Sequence, residues 1–308
     1  MLVGVVANPS SSKDIRRLTG LARVIDIEEK ANLVARLLVG LATDDRITVS
    51  MLDDRAGLAR RAVTLAGPAG PPVDYLDLEP SGTEADTRRA AQEFAGQGAK
   101  ALVTVGGDGT VRAAAEGWPR APLVPIAAGT NNAFALTDEP TVIGVATAMA
   151  VTRQAKSAFA PTTAIEVDTS EGRALAVIDA VVVRDRWVGA GAIWQTDQLV
   201  EGFVTSSRRT AVGIASVSAA LGPLAPAHAR HIEFGGPRTV RAVFGPGVVT
   251  DVPVSGHADL PMGSEIAMHQ EAGLVALDGE RRLPVRGGTV RVVEGPRVLD
   301  VAHAWDLS

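Results

Sequence analysis

Apolar and polar positions in the first half of the chain follow two alternating rhythms. Leu2–Ala7, "LVGVVA", is a continuous apolar run stopped by Asn8-Pro9, the pattern of a strand buried on both faces of a parallel sheet. "IEEKANLVARLLVGLA", Ile27–Ala42, repeats its apolar residues at helical spacing and predicts an amphipathic helix. "RITVSML" predicts a strand and "GLARRAVTLA" a helix; after the Gly67–Pro72 loop, "VDYLDLE" predicts a short strand and "EADTRRAAQEFAGQG" a helix closed by Gly98. "AKALVTVGG" is again a strand. This alternation predicts right-handed crossovers and a doubly wound, mostly parallel sheet. In such sheets ligands bind beyond the carboxyl ends of the strands.

Beyond Gln154 helical periodicity fades into short valine-rich or alternating runs between glycine and proline turns: "TAIEVD", "ALAVIDAVVV", "RTVRAVFG", "EIAMHQEAGLVALDGE" and "GGTVRVVEG". This half is predicted to be β-rich and sandwich-like, with one helix within "WQTDQLVEGFVTSSRR", Trp194–Arg209. The expected organisation is an α/β domain over residues 1–154 and a β-rich domain over 155–308.

Composition narrows the function classes. At 308 residues, 46% hydrophobic and 21% charged, the chain can build two cores and is neither disordered nor fibrous. A net charge of -5 gives no general attraction to nucleic acid, so no nucleic-acid partner is expected. The chain has no cysteine, which removes disulfides, thiolate nucleophiles and cysteine-ligated metals. "MLVGVVANPSSSKD" lacks a basic leader and meets Asn8-Pro9 too soon for a signal-peptide core, and no later apolar run is long enough for a bilayer span. A cytoplasmic protein with no membrane span is the expectation.

Chemistry concentrates in "ALVTVGGDGTVRAAAEG", Ala101–Gly117. Its glycines allow close approach of a ligand, and the start of the following helix supplies anion-binding amides. An aspartate at its centre repels phosphate, so Asp108 must serve another part of the ligand: a sugar hydroxyl, an acceptor hydroxyl or a magnesium ion. The common nucleotide loops G-x-x-x-x-G-K-[ST] and G-x-G-x-x-G are both absent. "PLVPIAAGTNNAFA" repeats the design with Gly129-Thr130-Asn131-Asn132, and "ANPSSSK" sets hydroxyls and the Lys13 ammonium at a third strand end. Glycine turns alone favour a plain structural turn; two of them about twenty residues apart, each after an apolar strand, fit the lining of one cleft better.

GGDGT followed by P-x-x-x-GTNN resembles the NAD kinase and diacylglycerol kinase superfamily. "NPSSSKDIRR", "EKAN", "DTRRAAQEF" and "AAGTNNAFA" look most like its ATP-NAD kinase relatives of the acetoin-catabolism protein X family. The resemblance covers the first half strongly and the second loosely. It implies that Gly106, Gly107, Gly109 and Thr110 line a nucleotide phosphate site and that Asp108 contacts or activates the acceptor hydroxyl. It further implies that Asn8, Ser10 and Lys13 border ATP phosphate, and that Gly129, Thr130, Asn131 and Asn132 line nucleotide or acceptor. ATP and Mg2+ would be the cofactors, NAD or a related small molecule the acceptor, and a homodimer or larger homo-oligomer the assembly. "LDGE", Leu277–Glu280, resembles the D-G-E of bacterial lipid kinases, which makes Asp278 or Glu280 a candidate base folding over Asp108 in an interdomain cleft. Asp-Gly is equally the commonest two-residue hairpin turn, and both readings stand.

Departures bear on the acceptor. The G-S-T-A-Y stretch of NAD kinases is missing, Asp179-Ala180 stands where their Asn-Glu pair is expected, and the lipid-kinase G-N pattern is also missing. A kinase of NAD or a related molecule, a lipid or polyol kinase, and a catalytically silent nucleotide-binding regulator linked to acetoin catabolism therefore all remain open. His228 and His231 lack a third ligand for zinc and follow prolines that predict a loop. Ser255, His257 and Asp259 share one strand and cannot relay a proton as a triad. Trp187 and Trp194 are expected to pack a core or subunit interface.

Overall fold

A computed structural model describes residues 1–11, 20–130, 132–184, 195–269 and 272–306. The chain divides into two compact units, Met1–Ser12 with Ile25–Pro161 and Pro296–Ser308, and Lys13–Val24 with Thr162–Gly295. This division departs from a single cut after residue 154, because the chain's last strand and helix return to the first unit. Lys13, Asn131, Trp187 and Trp194 lie outside the described residues.

The first unit is built on β1 (Leu2–Ala7), β2 (Thr48–Met51), β3 (Val73–Tyr75), β4 (Ala101–Gly106), β5 (Pro122–Ala127) and β6 (Phe159–Ala160), joined by the final strand β17 (Arg297–Leu299). They form one seven-stranded sheet in the order β3-β2-β1-β4-β5-β17-β6. All neighbours pair in parallel except β6, which runs antiparallel to β17. The order reverses direction at β1 and β4, so the crevice beyond their carboxyl ends is the topological switch point of the sheet.

Helices α1 (Ile27–Leu41), α2 (Leu58–Ala66), α3 (Glu84–Gly96), α4 (Asp108–Gly117) and α5 (Pro140–Thr152) pack on this sheet. Asp26 starts α1 by accepting the Glu29 amide at 2.8 Å, one of the donors a helix start leaves open. Its apolar stripe, Ala31, Val34, Leu37, Leu38 and Leu41, is buried with β-strand valines such as Val3, Val5 and Val49. Helix α5 is apolar on nearly every side and approaches α1 through paired glycines. A Cβ on Gly40 would lie 2.2 Å from the Thr141 carbonyl, and one on Gly144 would lie 2.4 Å from that of Leu37. Helix α4 is anchored by Arg112, 2% exposed, which bonds Glu116 and Glu84 at 2.7 Å each.

The second unit is antiparallel. Strands β7 (Thr163–Thr169), β8 (Gly172–Ala176), β13 (Glu265–Ala267) and β16 (Thr289–Glu294) form a four-stranded sheet. Strands β9 (Asp179–Val183), β10 (Leu199–Val204), β11 (His228–Gly245), β12 (Val248–Pro261), β14 (Ala272–Leu277) and β15 (Glu280–Arg286) form a six-stranded one. Ile165, Val167, Val290 and Val292 of the first sheet share a core with Ala180, Val182, Phe203 and Val275 of the second, as in a sandwich. The helix expected within Trp194–Arg209 is instead strand β10. "LVEGFV" is buried at all six positions between β9 and β11, and a segment covered on both faces loses the period that separates strand from helix. The helix of this region, α6 (Ile214–Leu221), begins ten residues after the end of β10.

His228 and His231 open β11 rather than a loop, and His231 Nε2 lies 3.0 Å from the buried Glu201. Ser255, His257 and Asp259 lie together on β12, where Asp259 accepts from Arg230 at 2.7 Å. The chain ends in α7 (Val301–Asp306). Among the described residues no helix is long and apolar enough to cross a membrane.

Candidate functional site

The switch point gathers three turns of the first unit. Strand β1 is followed by Asn8, whose amide donates to the Val105 carbonyl of β4 at 2.9 Å. The Asn8 side chain donates from Nδ2 to Thr110 Oγ1 at 3.0 Å and accepts the Ser10 amide on Oδ1 at 2.9 Å. Ser11 Oγ adds a bond to the Ala128 carbonyl at 2.9 Å. The turn after β1 is thereby tied to the turns after β4 and β5.

The second turn is Gly106-Gly107-Asp108-Gly109-Thr110. Gly107 caps α4 without a side chain. Gly106 must be glycine because a Cβ there would meet Thr110 Oγ1 at 2.3 Å. The third turn comes still closer: a Cβ on Gly129 would lie 2.4 Å from Gly107 Cα. Asn132 locks that turn on itself, accepting the Gly129 amide at 2.9 Å and donating to the Gly129 carbonyl at 2.8 Å. Its side chain is spent on the turn. Gly129→Ala should cost about 1–3 kcal/mol of stability by forcing the two turns apart; urea unfolding checks this, and an unchanged midpoint would mean the turns do not touch.

Asp108 explains its place among glycines through these contacts. It is 4% exposed, its Oδ2 accepts the Ala133 amide at 3.0 Å, and its Oδ1 accepts the Phe134 amide at 3.0 Å. The carboxylate is the bridge that fastens the chain after β5 to the start of α4. It satisfies the buried Ala133 amide and the partly buried Phe134 amide.

Thr130 points to a missing partner. Its Oγ1 is buried and has no hydrogen-bond partner among the described residues, and such an orphan calls for an explanation such as a ligand. Beside it lie glycines without side chains and the N-terminus of α4, an arrangement suited to phosphate oxygens.

Lys30 is the residue of this region that sequence reasoning did not single out. It is 1% exposed on α1, and its Nζ donates to the carbonyls of Asn8, Pro9 and Ser11 at 3.2, 3.0 and 2.7 Å. The signal was present: Lys30 interrupts the apolar stripe Ile27, Ala31, Val34 at a buried helical position.

The D-G-E motif belongs to the second unit. Asp278 and Gly279 have φ of 52° and 78° and link β14 to β15 as a two-residue hairpin turn, for which positive φ at both positions is required. The Asp278 carboxylate is buried and accepts the Ile178 amide at 2.7 Å and the Val177 amide at 3.0 Å. Asp179, also buried, accepts the Gly279 amide at 3.2 Å on its side chain. Both aspartates hold the backbone of this hairpin against β9. Glu280 opens β15, and its side chain lies outside the described residues.

A parallel sheet with its strand-end turns joined at the switch point is a doubly wound α/β fold, and the family comparisons narrow it to the NAD kinase fold. Residues 3–153 match the ATP-NAD kinase N-terminal domain, and residues 163–294 match the acetoin catabolism protein X C-terminal domain. The chain is 35% identical over 301 residues to acetoin catabolism protein X of Cupriavidus necator, covering 92% of this chain and 84% of that protein. It belongs to the acetoin catabolism protein X family. Among solved structures, the biotin carboxylase domain of a thermophilic 2-oxoglutarate carboxylase, bound to ADP, aligns at 11% identity and a TM-score of 0.25, over 82% of this chain and 63% of that one. A score that low carries no argument.

Proposed function

We propose that this member of the kinase superfamily is an ATP-dependent phosphotransferase acting on a hydroxyl of NAD or a related small molecule, in the cytoplasm and as a homo-oligomer. The observation that carries the reading is the buried hydroxyl of Thr130, without a hydrogen-bond partner among the described residues, beside the Gly107–Gly129 backbone contact. The contact of the two glycine turns sets Thr130 beside the amides that open α4, which suit phosphate oxygens, and the orphan hydroxyl is a donor awaiting an oxygen. Magnesium-ATP, when bound, supplies the transferable γ-phosphoryl group and the charge that offsets it.

The chain's own residues then divide the work. Gly106, Gly107, Gly109, Thr110, Gly129 and Thr130 receive the phosphates; Asn8 and Ser10 shape the third wall, with Lys13 and Asn131 assigned there by the family resemblance alone. Asp108, with one backbone amide on each oxygen, positions the turns and would help orient a bound magnesium ion directly or through water. No group of three metal-ligating side chains lies among the described residues, so magnesium would arrive on the nucleotide rather than on a protein cage. Glu280 is the candidate that takes the proton from the acceptor hydroxyl. Asp278, engaged by backbone amides, holds the hairpin that carries Glu280.

The test is incubation of the purified chain with magnesium-ATP and NAD, with product identified by mass spectrometry. NADP and ADP in equal amounts are expected. A second reading, a nucleotide-binding regulator of acetoin catabolism, is favoured by Asp179, which stands at the usual acceptor-contact position yet is spent on the Gly279 amide. ATP binding with no phosphorylated product from NAD, polyols or lipids would select that reading.

A further inference from the structure

The opposite end of the first unit's sheet carries a cavity of about 570 Å³, within the roughly 300–1,000 Å³ typical of small-molecule sites. It opens where three parallel strands begin: Lys100 directly precedes β4, Pro122 starts β5, and Arg297 starts β17 in register with Pro122. Phe159 and Val151, both buried, line it as an apolar wall, and Lys156 completes the rim.

Its charge is one-sided. Lys100, Lys156 and Arg297 line the cavity, and no acidic residue does. Several cations elsewhere in this acidic chain are paired with carboxylates, as in Arg60 with Asp53, Arg112 with Glu84 and Arg241 with Asp251. The three cavity cations have no carboxylate partner among the described residues. Arg297 is held by the Phe159 carbonyl, at 3.0 Å from Nε and 2.8 Å from Nη2, which fixes the guanidinium without cancelling its charge.

The C-terminus of α5 could account for the cations, since helix ends carry partial negative charge. It does not need them. Gln154, at a φ of 55°, and the residues on either side of it fold back so that the amides of Arg153, Gln154 and Ala155 take the carbonyls of Met149, Val151 and Ala150. The positive rim is left without a carboxylate countercharge among the described residues.

We propose that this cavity binds a small organic anion, its carboxylate or phosphate head among Lys100, Lys156 and Arg297 and its apolar body against Phe159 and Val151. The site lies at the end of the sheet away from the Asp108 turn and stands whether or not the kinase reading does. An allosteric or product-sensing ligand of that chemistry is the natural occupant of a second site on a metabolic protein.

Calorimetric titration of the intact chain with octanoate, octyl phosphate and 1-octanol tests it. One or both anions should bind at one per chain, and 1-octanol about tenfold more weakly. Lys100→Gln and Lys156→Gln are exposed changes that should leave folding intact and weaken the anion roughly three- to five-fold each. Magnesium-ATP should not displace it. The tighter of the two anions identifies the head group. No heat from either anion, equal binding of 1-octanol, variants that bind like the parent chain, or displacement by ATP would each overturn the assignment.

Discussion

Asp108→Asn is expected to lower the proposed phosphoryl transfer by at least about a hundred-fold while the chain still folds, less stably by about 1–3 kcal/mol. The asparagine is nearly isosteric and keeps one oxygen for either the Ala133 or the Phe134 amide. Its other end is an NH2 group, so one backbone N–H loses its acceptor and faces a second donor. Removing one partner from a buried polar pair costs the desolvation of the group left behind. The larger effect falls on geometry, because the bridge sets the position of the turn that carries Thr130. A misplacement near 1 Å at such a site is enough for a hundred-fold loss. Urea unfolding and steady-state kinetics on the same preparations separate the two effects. A variant of full turnover would remove the role assigned to Asp108, and an unchanged unfolding midpoint would remove the bridge.

The alternation of strand and helix was legible because the helices bury one stripe and the central strands bury both faces, so each carries its own period. Those signals gave α1, α2, α3 and the paired glycine turns. Strand β10 was misread because "LVEGFV" is covered on both faces and carries no alternation, while the neighbouring polar residues suggested a helical pattern. The return of Arg297–Leu299 to the first sheet left no local trace. Arg297 and Val298, pairing with Pro122 and Leu123 across a separation of some 175 positions, are chosen by tertiary contact rather than by propensity. At the site, the motifs identified where the ligand turns lie, but not that Asp108 and Asn132 spend their side chains on backbone groups. Residue type shows what a side chain can bond, and only the fold shows which amides come within reach.

Lys30→Met is expected to destabilise the first unit by about 2–4 kcal/mol and to loosen the turn after β1. Methionine fills most of the lysine's volume, so no large cavity opens, and removing a buried charge is by itself favourable. The opposing term is larger. Carbonyls of Asn8, Pro9 and Ser11 each lose a charge-assisted hydrogen bond, and such bonds contribute roughly 1.5–3 kcal/mol apiece before partial rehydration. Asn8 and Pro9 are only partly buried, so water recovers part of the loss by opening the turn, which places the damage at the mouth of the switch point. Lys30→Arg retains the charge but spreads it over a planar fork that cannot converge on three carbonyls, and should recover stability only in part. Denaturant unfolding together with hydrogen exchange at Ser10 and Ser11 measures both consequences. If the methionine variant unfolds at the parent midpoint with the turn still protected, the ammonium does not hold this turn.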